Sequence, residues 1–512
     1  MSAATQQPTQ MADKGLKGGS LGLVAVIVIG VASTAPGYSL AASLGLVTEK
    51  AGLKAPFIML LAFVPMACIA ASFYFLNKAD PDCGTNFTWG VRAFGPKAGW
   101  IAGWGCIVAD LVIMPNLAGV SGQYLMLLFS ESLASNIYLT TFIGILFIIA
   151  MTWICWKGIE LSARSQVLLL GTELVVLTLF AVIAIVKSSG DGIERTIDNV
   201  TYHSIHPSLS WISPSGLSMS SVAAGLVLAV FIYWGWDTCV SVNEEAKDSA
   251  TTPGRAAVLS TIVLLVIYLI VSYGSVALLG PDFVTANSDD SLYALGKVAL
   301  PTIVVKLLLI AVLTSAAASC QTTILPATRT MLSMGSHGAA PGKLARIDPR
   351  RLTPDYSTWL FGAVSIVWYV FLVVVSHNTS RNLYGSSIAA VGLAIAIYYG
   401  LSGVSCVVYF RRWIMKSAKN FLLMGFLPGL GGVMLLYVFF KTIIDNLKAD
   451  GDRVLLITGT GLLVAGVPLM LLCAKKYPRF FTFRPDPIEL VKDPTSDDTL
   501  AAPLGSYVKG SR

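Results

Sequence analysis

Residues 30–40 of this chain read Gly30-Val-Ala-Ser33-Thr-Ala-Pro36-Gly37-Tyr-Ser-Leu40. They lie inside an apolar run from Leu21 to Val47 that contains no charged residue, which is the pattern of a membrane-spanning helix. Pro36 lacks an N–H group and disfavours helical backbone at the residue before it, and Gly37 offers little steric resistance to leaving the helix. A helix broken in the bilayer leaves backbone polar groups that only protein or a water-filled cavity can satisfy. The segment predicts either a polar site at mid-membrane depth or a plain proline kink.

The composition is that of a polytopic membrane protein. Of the 512 residues, 55% are hydrophobic and 12% are charged, against about 25% charged residues in soluble globular proteins. The formal net charge of +7 comes from basic residues at helix ends rather than from one patch, so we expect no nucleic-acid partner. The eight cysteines are scattered singly without a CxxC pair. We therefore expect no disulfide framework, no metal site and no cofactor.

Apolar runs long enough to cross a bilayer predict about twelve spans. They lie near residues 21–48, 55–77, 98–129, 138–156, 164–186, 220–242, 256–279, 301–327, 356–376, 383–410, 421–443 and 453–473. Residues 1–20 are polar, and we interpret them as a short cytoplasmic tail rather than a cleavable signal peptide. Residues 474–512 form a second cytoplasmic tail in this prediction.

The distribution of Lys and Arg predicts the orientation in the membrane. With the N-terminus inside, the cytoplasmic connections and tails hold about 25 of the 35 Lys and Arg residues, and the outside connections hold about 10. We therefore predict a multi-pass protein of the cell membrane with both termini in the cytoplasm. The longest outside connection, residues 187–219, carries His203 and His206, which could bind a metal ion but lack a third ligand.

The sixth predicted span repeats the interruption of the first. It reads Phe231-Ile-Tyr233-Trp234-Gly235-Trp236-Asp237-Thr238, with a glycine, two tryptophans and an acid inside an apolar run. Interrupted spans at corresponding positions of two halves are typical of inverted-repeat transporters whose site lies at mid-membrane. We therefore predict an all-α fold of two repeats, residues 21–186 and 220–410, which make up a transporter core of residues 21–410. Helices 11 and 12 follow in residues 411–473.

Three further groups of motifs lie in order along the chain. They are Pro81-Asp-Cys-Gly84-Thr-Asn-Phe-Thr-Trp89 with Gly99-Trp100-Ile-Ala-Gly103-Trp104, Asn243-Glu244-Glu245-Ala-Lys247 with Pro253-Gly-Arg255, and Ala327-Thr-Arg329 through Ala340-Pro341. Their order and spacing resemble the amino acid-polyamine-organocation (APC) superfamily of permeases, over roughly residues 20–410. The resemblance implies the LeuT-like fold of five plus five helices, with helices 1 and 6 broken at mid-membrane.

The resemblance also implies a substrate site between the two broken helices. The predicted substrate-binding residues are Ser33, Thr34, Ala35, Pro36, Gly37, Tyr38, Asp110, Tyr233, Trp234, Gly235, Trp236 and Asp237. In the commonest family pattern a Gly-Ser-Gly-type segment presents backbone amides to a substrate carboxylate, whereas Pro36 supplies no donor and is closer to the break of putrescine-type permeases. The N–H groups of Gly37 and Tyr38 still begin a half-helix. The substrate is accordingly an amino acid or a less acidic amine.

Acidic residues within the spans are functional candidates because burying a charge in the membrane costs several kcal/mol. Asp110 is the only charge between Ala98 and Phe129, and it could pair with a substrate ammonium group or cap a helix. Glu173 is the lone acid of the fifth span. In family members thought to use protons, a titratable residue near this place substitutes for a sodium ion. Glu173 could therefore carry the coupled proton, or it could hold the first helix in place.

The alternative coupling ion is sodium, which hydroxyl groups of the eighth span could coordinate. Ser315, Ser319 and Thr322 could supply the oxygen ligands that sodium prefers, although we favour the proton. Asp237 could cap the half-helix that resumes after the second break or contact the substrate. The rings of Tyr233, Trp234 and Trp236 could cover a bound amine through cation–π attraction or simply pack.

Glu244 and Glu245 follow the sixth span, with Lys247 and Arg255 nearby. The family resemblance implies that these acids form part of an inner gate that closes through salt bridges. A solvated helix end explains them equally well.

Together these features predict a secondary active transporter that moves amino acids or related amines by alternating access, with a co-transported proton and the lipid bilayer as its other partners. A polyamine or organocation permease or exchanger of the same fold is the alternative. The chain contains no Walker A or HExxH motif, which are marks of ATP-driven pumps and of membrane-embedded zinc proteases. We therefore predict that it is not an enzyme, and a membrane enzyme or a channel is the distant alternative.

Overall fold

A computed structural model describes residues 14–190, 192–288, 290–379, 383–447 and 459–482 of the chain. Within these ranges, nine helical stretches are long and apolar enough to cross a membrane. The described chain is predominantly helical, as predicted, and has the architecture of a polytopic membrane protein.

The helices follow one another with short connections. In chain order they are α1 Leu23–Ser33, α2 Pro36–Ala51, α3 Ala55–Ala79, α4 Asn86–Phe94, α5 Pro96–Leu127, α6 Glu131–Ala134, α7 Ile137–Lys157, α8 Ile159–Ser189, α9 Met219–Ile232, α10 Thr238–Ser241, α11 Thr252–Ala286, α12 Ser291–Ala299, α13 Thr302–Thr322, α14 Ile324–Ser336, α15 Asp355–Thr379, α16 Leu383–Phe410, α17 Ala418–Asn420, α18 Leu427–Asn446, α19 Gly461–Lys476 and α20 Pro478–Phe481. A π-helical segment, Phe421–Phe426, leads into α18.

The helices differ from the twelve predicted spans in three places. The first two predicted spans run together in one apolar stretch, Leu23–Ala79, which contains α1, α2 and α3. The sixth predicted span contains α9, whose 14 residues fall short of the roughly 20 that a straight crossing needs. The twelfth, residues 453–473, lies partly outside the described residues. The count of twelve spans and the division into two repeats stay predictions.

The connection between α8 and α9 contains a feature that the all-α prediction missed. Residues Glu194–Ile197 and Val200–His203 form strands β1 and β2, which pair antiparallel as a hairpin. The two turn residues, Asp198 and Asn199, have φ values of 48° and 64°. A two-residue hairpin turn with positive φ at both positions favours Asn and Asp, because their short side chains tolerate the left-handed region.

The interrupted segments lie in the middle of the helical bundle. Helix α1 packs against α8, α11 and α13, and α2 packs against α9, α11 and α13. Apolar side chains on the outer helices face away from the protein, and Val175 of α8, Val367 of α15 and Val433 of α18 are all largely exposed. Large exposed apolar surfaces of this kind match the hydrocarbon of a bilayer rather than water.

Candidate functional site

The first candidate element is the interruption between α1 and α2. Helix α1 ends at Ser33, α2 begins at Pro36, and Ala35 between them has a left-handed backbone with φ 47° and ψ 64°. Such a backbone costs a residue with a Cβ about 1–2 kcal/mol, so the packing around it must hold it in place. Pro36 is the first residue of α2, where a missing N–H group costs no helical hydrogen bond. The interruption therefore falls at the Thr34–Ala35 pair, and its depth in a membrane stays a prediction.

The second candidate element lies between α9 and α10 and touches the first. Helix α9 ends at Ile232 and α10 begins at Thr238. Between them, Gly235 has φ 115°, and a Cβ on this residue would lie 2.6 Å from the carbonyl oxygen of Ser33. The hydroxyl oxygens of Ser33 and Thr238 are 2.7 Å apart. The two interruptions are thus in direct backbone and side-chain contact, and this close approach explains the glycine.

The first backbone N–H groups of α2 are bound by side chains from other helices. The Gly37 N–H donates to Oε1 of Glu173 at 2.6 Å. The Tyr38 N–H donates to Oγ of Ser315 at 3.2 Å. These are the two amides that we expected to remain as candidate donors for a substrate carboxylate. In this conformation they are occupied by the protein itself.

Glu173 enters this region from α8 and is fully buried. Its Oε1 accepts the hydrogen bond from Gly37, while its Oε2 is buried and has no hydrogen-bond partner within the described part of the chain. The Ser315 hydroxyl lies beside the carboxylate, and the ring of Tyr268 from α11 is near it. The residue therefore joins α8 to the start of α2 and keeps one oxygen unsatisfied.

The three hydroxyl residues proposed as sodium ligands separate into two groups. Ser315 accepts from Tyr38, and the Ser319 hydroxyl donates to the carbonyl oxygen of Ser33 at 2.8 Å. The Thr322 hydroxyl donates to a carbonyl of its own helix, that of Ala318, at 3.0 Å. Two of the three side chains therefore face the first interruption.

Asp237 lies at the second interruption and accepts hydrogen bonds from two tyrosines of α16. The donors are the hydroxyls of Tyr399, at 2.7 Å, and Tyr398, at 3.2 Å. The Asp237 backbone occupies the N-cap position of α10, but its side chain makes no capping hydrogen bond. The predicted capping role is therefore wrong, because the carboxylate turns towards α16 instead.

Asp110 of α5 is buried near Asp237, and the two carboxyl groups interact electrostatically. Its Oδ2 accepts a long hydrogen bond from the thiol of Cys106, 3.8 Å away. A backbone hydrogen bond also links it to Ala327, in the first turn of α14. The hydrogen bond to Ala327 is the kind of contact expected if Asp110 caps a helix, which was our alternative to substrate binding. Asp110 also shares the region of Asp237, so its substrate role stays a prediction.

The aromatic residues of the second interruption are held by the protein. The Tyr233 hydroxyl donates to the carbonyl oxygen of Met59 at 3.1 Å, and the Trp234 indole donates to the Tyr398 hydroxyl. The Trp236 ring packs edge-on against Phe73 with 5.2 Å between ring centroids. Its indole nitrogen is buried without a partner among the described residues.

The side chains that hold this region include two that our sequence analysis missed. Tyr398 and Tyr399 lie in an ordinary apolar helix, so no motif marks them. Only their spatial closeness to Asp237 identifies them.

Glu244 and Glu245 are paired with cations that are distant in the chain. The Lys14 ammonium lies 2.5 Å from Oε1 of Glu244. Arg329 donates to both carboxylate oxygens of Glu245, at 2.8 and 3.2 Å, and both side chains are fully buried. The expected partners, Lys247 and Arg255, form neither of these pairs. Both acids are therefore salt-bridged, but with Lys14 and Arg329 instead of the expected cations. Their role in a gate stays a prediction.

Residues 14–21, which we call the N-terminal arm, lie beside these acids. The backbone N–H groups of Ser20 and Leu21 donate to the carbonyl oxygen of Glu245 at 2.9 and 3.0 Å, and that of Lys247 donates to the carbonyl of Leu21 at 2.9 Å. At the other end of the arm, Lys14 inserts its side chain into the protein and is 5% exposed. The arm is therefore attached at both ends.

Lys14 occupies a position that could otherwise hold a metal ion. The ligand atoms of Asp82, Cys83 and Glu244 lie within 4.8 Å of one another. The Lys14 ammonium is 2.7 Å from Oδ2 of Asp82 and 3.6 Å from Sγ of Cys83. A lysine thus supplies the positive charge to this cluster.

The charges of this cluster stabilise one another. Burial alone would raise the pKa of Asp82, but Lys14 and a hydrogen bond from His337, at 2.9 Å, hold it well below its usual value. Burial alone would lower the pKa of Lys14, but Asp82, Cys83 and Glu244 raise it well above its usual value. Both groups therefore stay charged near neutral pH. The two histidines singled out in the long connection lie elsewhere, and His203 is an exposed neighbour of Glu194 on the hairpin.

Comparison with known proteins matches this chain to one protein family. A sequence model of the family described as amino acid permease matches residues 21–466. An uncharacterized transporter of Mycobacterium tuberculosis is 26% identical over 387 residues, which cover 76% of this chain and 79% of the relative.

Two further relatives carry names that state a substrate. The branched-chain amino acid permease BcaP of Bacillus subtilis is 24% identical over 337 residues, covering 63% of this chain and 68% of the relative. The arginine/ornithine antiporter of Latilactobacillus sakei is 22% identical over 442 residues, covering 81% and 89%. All of these relatives are transporters, which are not enzymes.

Proposed function

This chain belongs to the amino acid permease family of the APC superfamily, and on that premise we propose that it is a secondary active transporter working by alternating access. It carries an amino acid or a related amine across the cell membrane, with both termini in the cytoplasm. The observation that carries the proposal is the direct contact between the two helix interruptions, at Ser33 and Gly235. A site built at such a junction is what an inverted-repeat transporter uses for its substrate.

In the proposed architecture, residues 21–186 and 220–410 are the two inverted repeats of a LeuT-like fold. The interruptions of α1–α2 and α9–α10 then belong to helices 1 and 6 of that fold. Their burial in the middle of the bundle supports this assignment, because non-helical backbone at membrane depth needs protein or a cavity around it.

The substrate site of the proposal lies between Ser33–Tyr38 and Tyr233–Asp237, with Asp110 beside them. Asp237 is the group we assign to the substrate ammonium. Its carboxylate accepts hydrogen bonds from two tyrosine hydroxyls. These bonds orient the carboxylate without neutralising it, which supports a role in binding a cation. The relatives are named for both branched-chain and basic amino acids, so both classes are candidate substrates.

Glu173 is the residue that we assign to the coupled proton. It is fully buried, it binds the start of α2, and one of its oxygens is unpartnered. A carboxyl group in such a place changes its contacts when it gains a proton, and so couples protonation to the position of α2. Sodium coordinated by Ser315 and Ser319 is the alternative.

The inner gate of the proposal consists of Glu244 with Lys14 and Glu245 with Arg329. The Arg329 pair is completely buried and doubly hydrogen-bonded. Such a pair is strong only while the site around it stays closed and dry, because water competes for both partners once it enters. This supports its use as a contact that breaks when the protein opens to the cytoplasm.

Transport by purified protein in liposomes tests the proposal. We expect uptake of labelled leucine or arginine to increase when an inward proton gradient is imposed. In Glu173→Gln, uptake should no longer follow the gradient, while exchange of internal for external substrate should continue. The matched control is Glu160→Gln, because Glu160 lies on the same helix but is exposed and paired with Lys17.

Two results would contradict the proposal. If uptake by Glu173→Gln still follows the proton gradient, the coupling role is wrong. For the substrate, a thermal-shift screen across amino acids and polyamines compares the stabilisation that each ligand produces. A ligand at 100 times its Kd adds about 2.7 kcal/mol to the free energy of unfolding. A screen in which polyamines alone raise the melting temperature would exclude the amino-acid assignment.

A further inference from the structure

We infer that the carboxylate of Glu173 and the carboxylate of a transported amino acid compete for the same backbone N–H group at the start of α2, that of Gly37, so that protonation of Glu173 admits the substrate. This inference rests on the proposed function and deepens it. It states how proton and substrate are linked, and it distinguishes substrates that carry a carboxylate from amines that do not.

The backbone N–H groups of the first interruption differ in what they bind. The N–H groups of Thr34 and Ala35 donate to carbonyls of α1 at 3.1 and 3.2 Å, and that of Ser39 donates to the carbonyl of Ala35 at 2.8 Å. Pro36 has no N–H group. Only Gly37 and Tyr38 direct their N–H groups at side chains.

Those two N–H groups lie in the first turn of a 16-residue helix. The start of a helix carries a partial positive charge and unsatisfied donors, and it therefore attracts anions such as carboxylates. The anion that Gly37 binds is Glu173, at 2.6 Å. A Cβ on Gly37 would lie 3.4 Å from Oε1 of Glu173, so the carboxylate already sits against this backbone. A substrate carboxylate cannot bind Gly37 while Glu173 does.

The contacts around Glu173 make this bond depend on its charge. The groups that face it are the Gly37 amide of α2, the Ser315 hydroxyl of α13 and the Tyr268 phenol of α11. None of these carries a formal positive charge. The second carboxylate oxygen, Oε2, is buried without a partner in the described chain. A buried anion with an unsatisfied oxygen is costly, so the Gly37 hydrogen bond is its main local compensation.

Protonation of Glu173 removes the negative charge that strengthens its hydrogen bond with the Gly37 N–H group. Hydrogen bonds to an ionised acceptor are roughly twice as strong as neutral ones, so a neutral Glu173 holds Gly37 more weakly. The proton stays on Glu173, and the substrate brings its own negative charge to the Gly37 amide. One carboxylate anion is replaced by another, and the charge beside the start of α2 is unchanged. An amine without a carboxylate does not need this exchange.

Equilibrium binding of matched ligand pairs to the full-length protein in detergent tests the inference. The pairs are leucine with isoamylamine and arginine with agmatine, and each pair differs by one carboxylate. We expect the amino acids to bind more weakly at pH 8 than at pH 5.5, by up to about tenfold per pH unit once Glu173 is ionised. The amines should show no such loss. In Glu173→Gln the amino acids should bind equally at both pH values.

Three results would overturn the inference. They are wild-type binding of the amino acids that is independent of pH, equal pH dependence for an amino acid and its amine, and a pH dependence that survives Glu173→Gln. The first two need only the wild-type protein, so a poorly folding variant does not prevent the test. If the liposome experiment shows proton-driven uptake while any of these results is found, competition is wrong and the proposed transport stands. Absence of both binding and uptake overturns both.

Discussion

Glu173 and Gly37 belong to different helices and lie 136 residues apart in the chain, and in our proposal their contact links two functions. One is recognition of an anionic group at a helix start, and the other is binding of a proton by a buried acid. Because a single hydrogen bond carries both in this proposal, we expect the protonation state of Glu173 to decide whether the Gly37 amide is open to a ligand.

Gly235 offers a test of the contact between the interruptions. In Gly235→Ala the new Cβ would meet the Ser33 carbonyl oxygen at 2.6 Å, on a backbone with φ 115°. The left-handed backbone alone costs about 1–2 kcal/mol, and the clash adds to it. We therefore expect a lower melting temperature and a loss of most uptake. The control is Gly171→Ala on α8, where a Cβ would meet nothing within 4 Å. Uptake by Gly235→Ala at the wild-type rate would show that the interruptions need not touch.

At the scale of an element, salt bridges from Lys14 to Asp82 and Glu244 hold the N-terminal arm against the protein. The lowered pKa of Asp82 gives stabilisation that is present above the ordinary Asp value of 3.8 and is lost as the pH falls below it. The raised pKa of Lys14 gives stabilisation that is present below the ordinary Lys value of 10.5 and is lost as the pH rises through the elevated pKa. The arm therefore stays attached throughout the physiological pH range.

Removal of the Lys14 charge should expose the thiol beside it. Lys14→Met leaves Asp82 and Glu244 buried without their cation, and breaking a buried pair in this way costs about 3–5 kcal/mol. We expect a maleimide to label Cys83 several-fold faster in Lys14→Met than in wild type, measured in a Cys473→Ser background because Cys473 is partly exposed.

The control for this experiment is Lys17→Met. Lys17 belongs to the same arm, but its pair with Glu160 is exposed and therefore contributes little. Equal labelling of Cys83 in wild type and Lys14→Met would mean that Lys14 does not hold the arm in place.

At the scale of the whole molecule, the distribution of charge and apolar surface determines how the protein sits in a bilayer. Exposed valines and leucines of α7, α8, α15 and α18 provide the lipid-facing surface. Basic residues are concentrated in the connections that we assign to the cytoplasm, which supports that orientation through the positive-inside rule. The hairpin of β1 and β2 belongs to the connection that we assign to the outside.

Two exposed positions test this orientation. Leu209, in the connection between α8 and α9, and Met415, between α16 and α17, are 84% and 83% exposed, so their access to a reagent in solution is matched. In intact cells, a membrane-impermeant maleimide should label Leu209→Cys and leave Met415→Cys unlabelled. Both should be labelled after permeabilisation. The reverse pattern in intact cells would place both termini outside.

Local patterns predicted the helical membrane architecture, the family and the positions of both interruptions. Apolar length, the missing N–H of Pro36 and the freedom of Gly37 and Gly235 act over a few residues, so they can be recognised without knowing the fold. The β-hairpin was missed because its strands are short and polar, and its Asp-Asn turn is a weak pattern outside an alternating apolar context.

The hydrogen-bond and salt-bridge partners of the site residues could not be predicted from the sequence, because these side chains meet only when distant helices pack together. Glu244 pairs with Lys14, 230 residues away in the chain, whereas we expected Lys247 and Arg255, which are nearby in the chain. Asp237 turns to two tyrosines of α16 rather than to its own helix start. By itself the sequence determined that this is a helical, polytopic membrane protein of the permease family, since apolar length and the order of short motifs are local properties of the chain. Only the tertiary structure decided that the Gly37 amide binds Glu173, since that contact depends on the packing of α2 against α8.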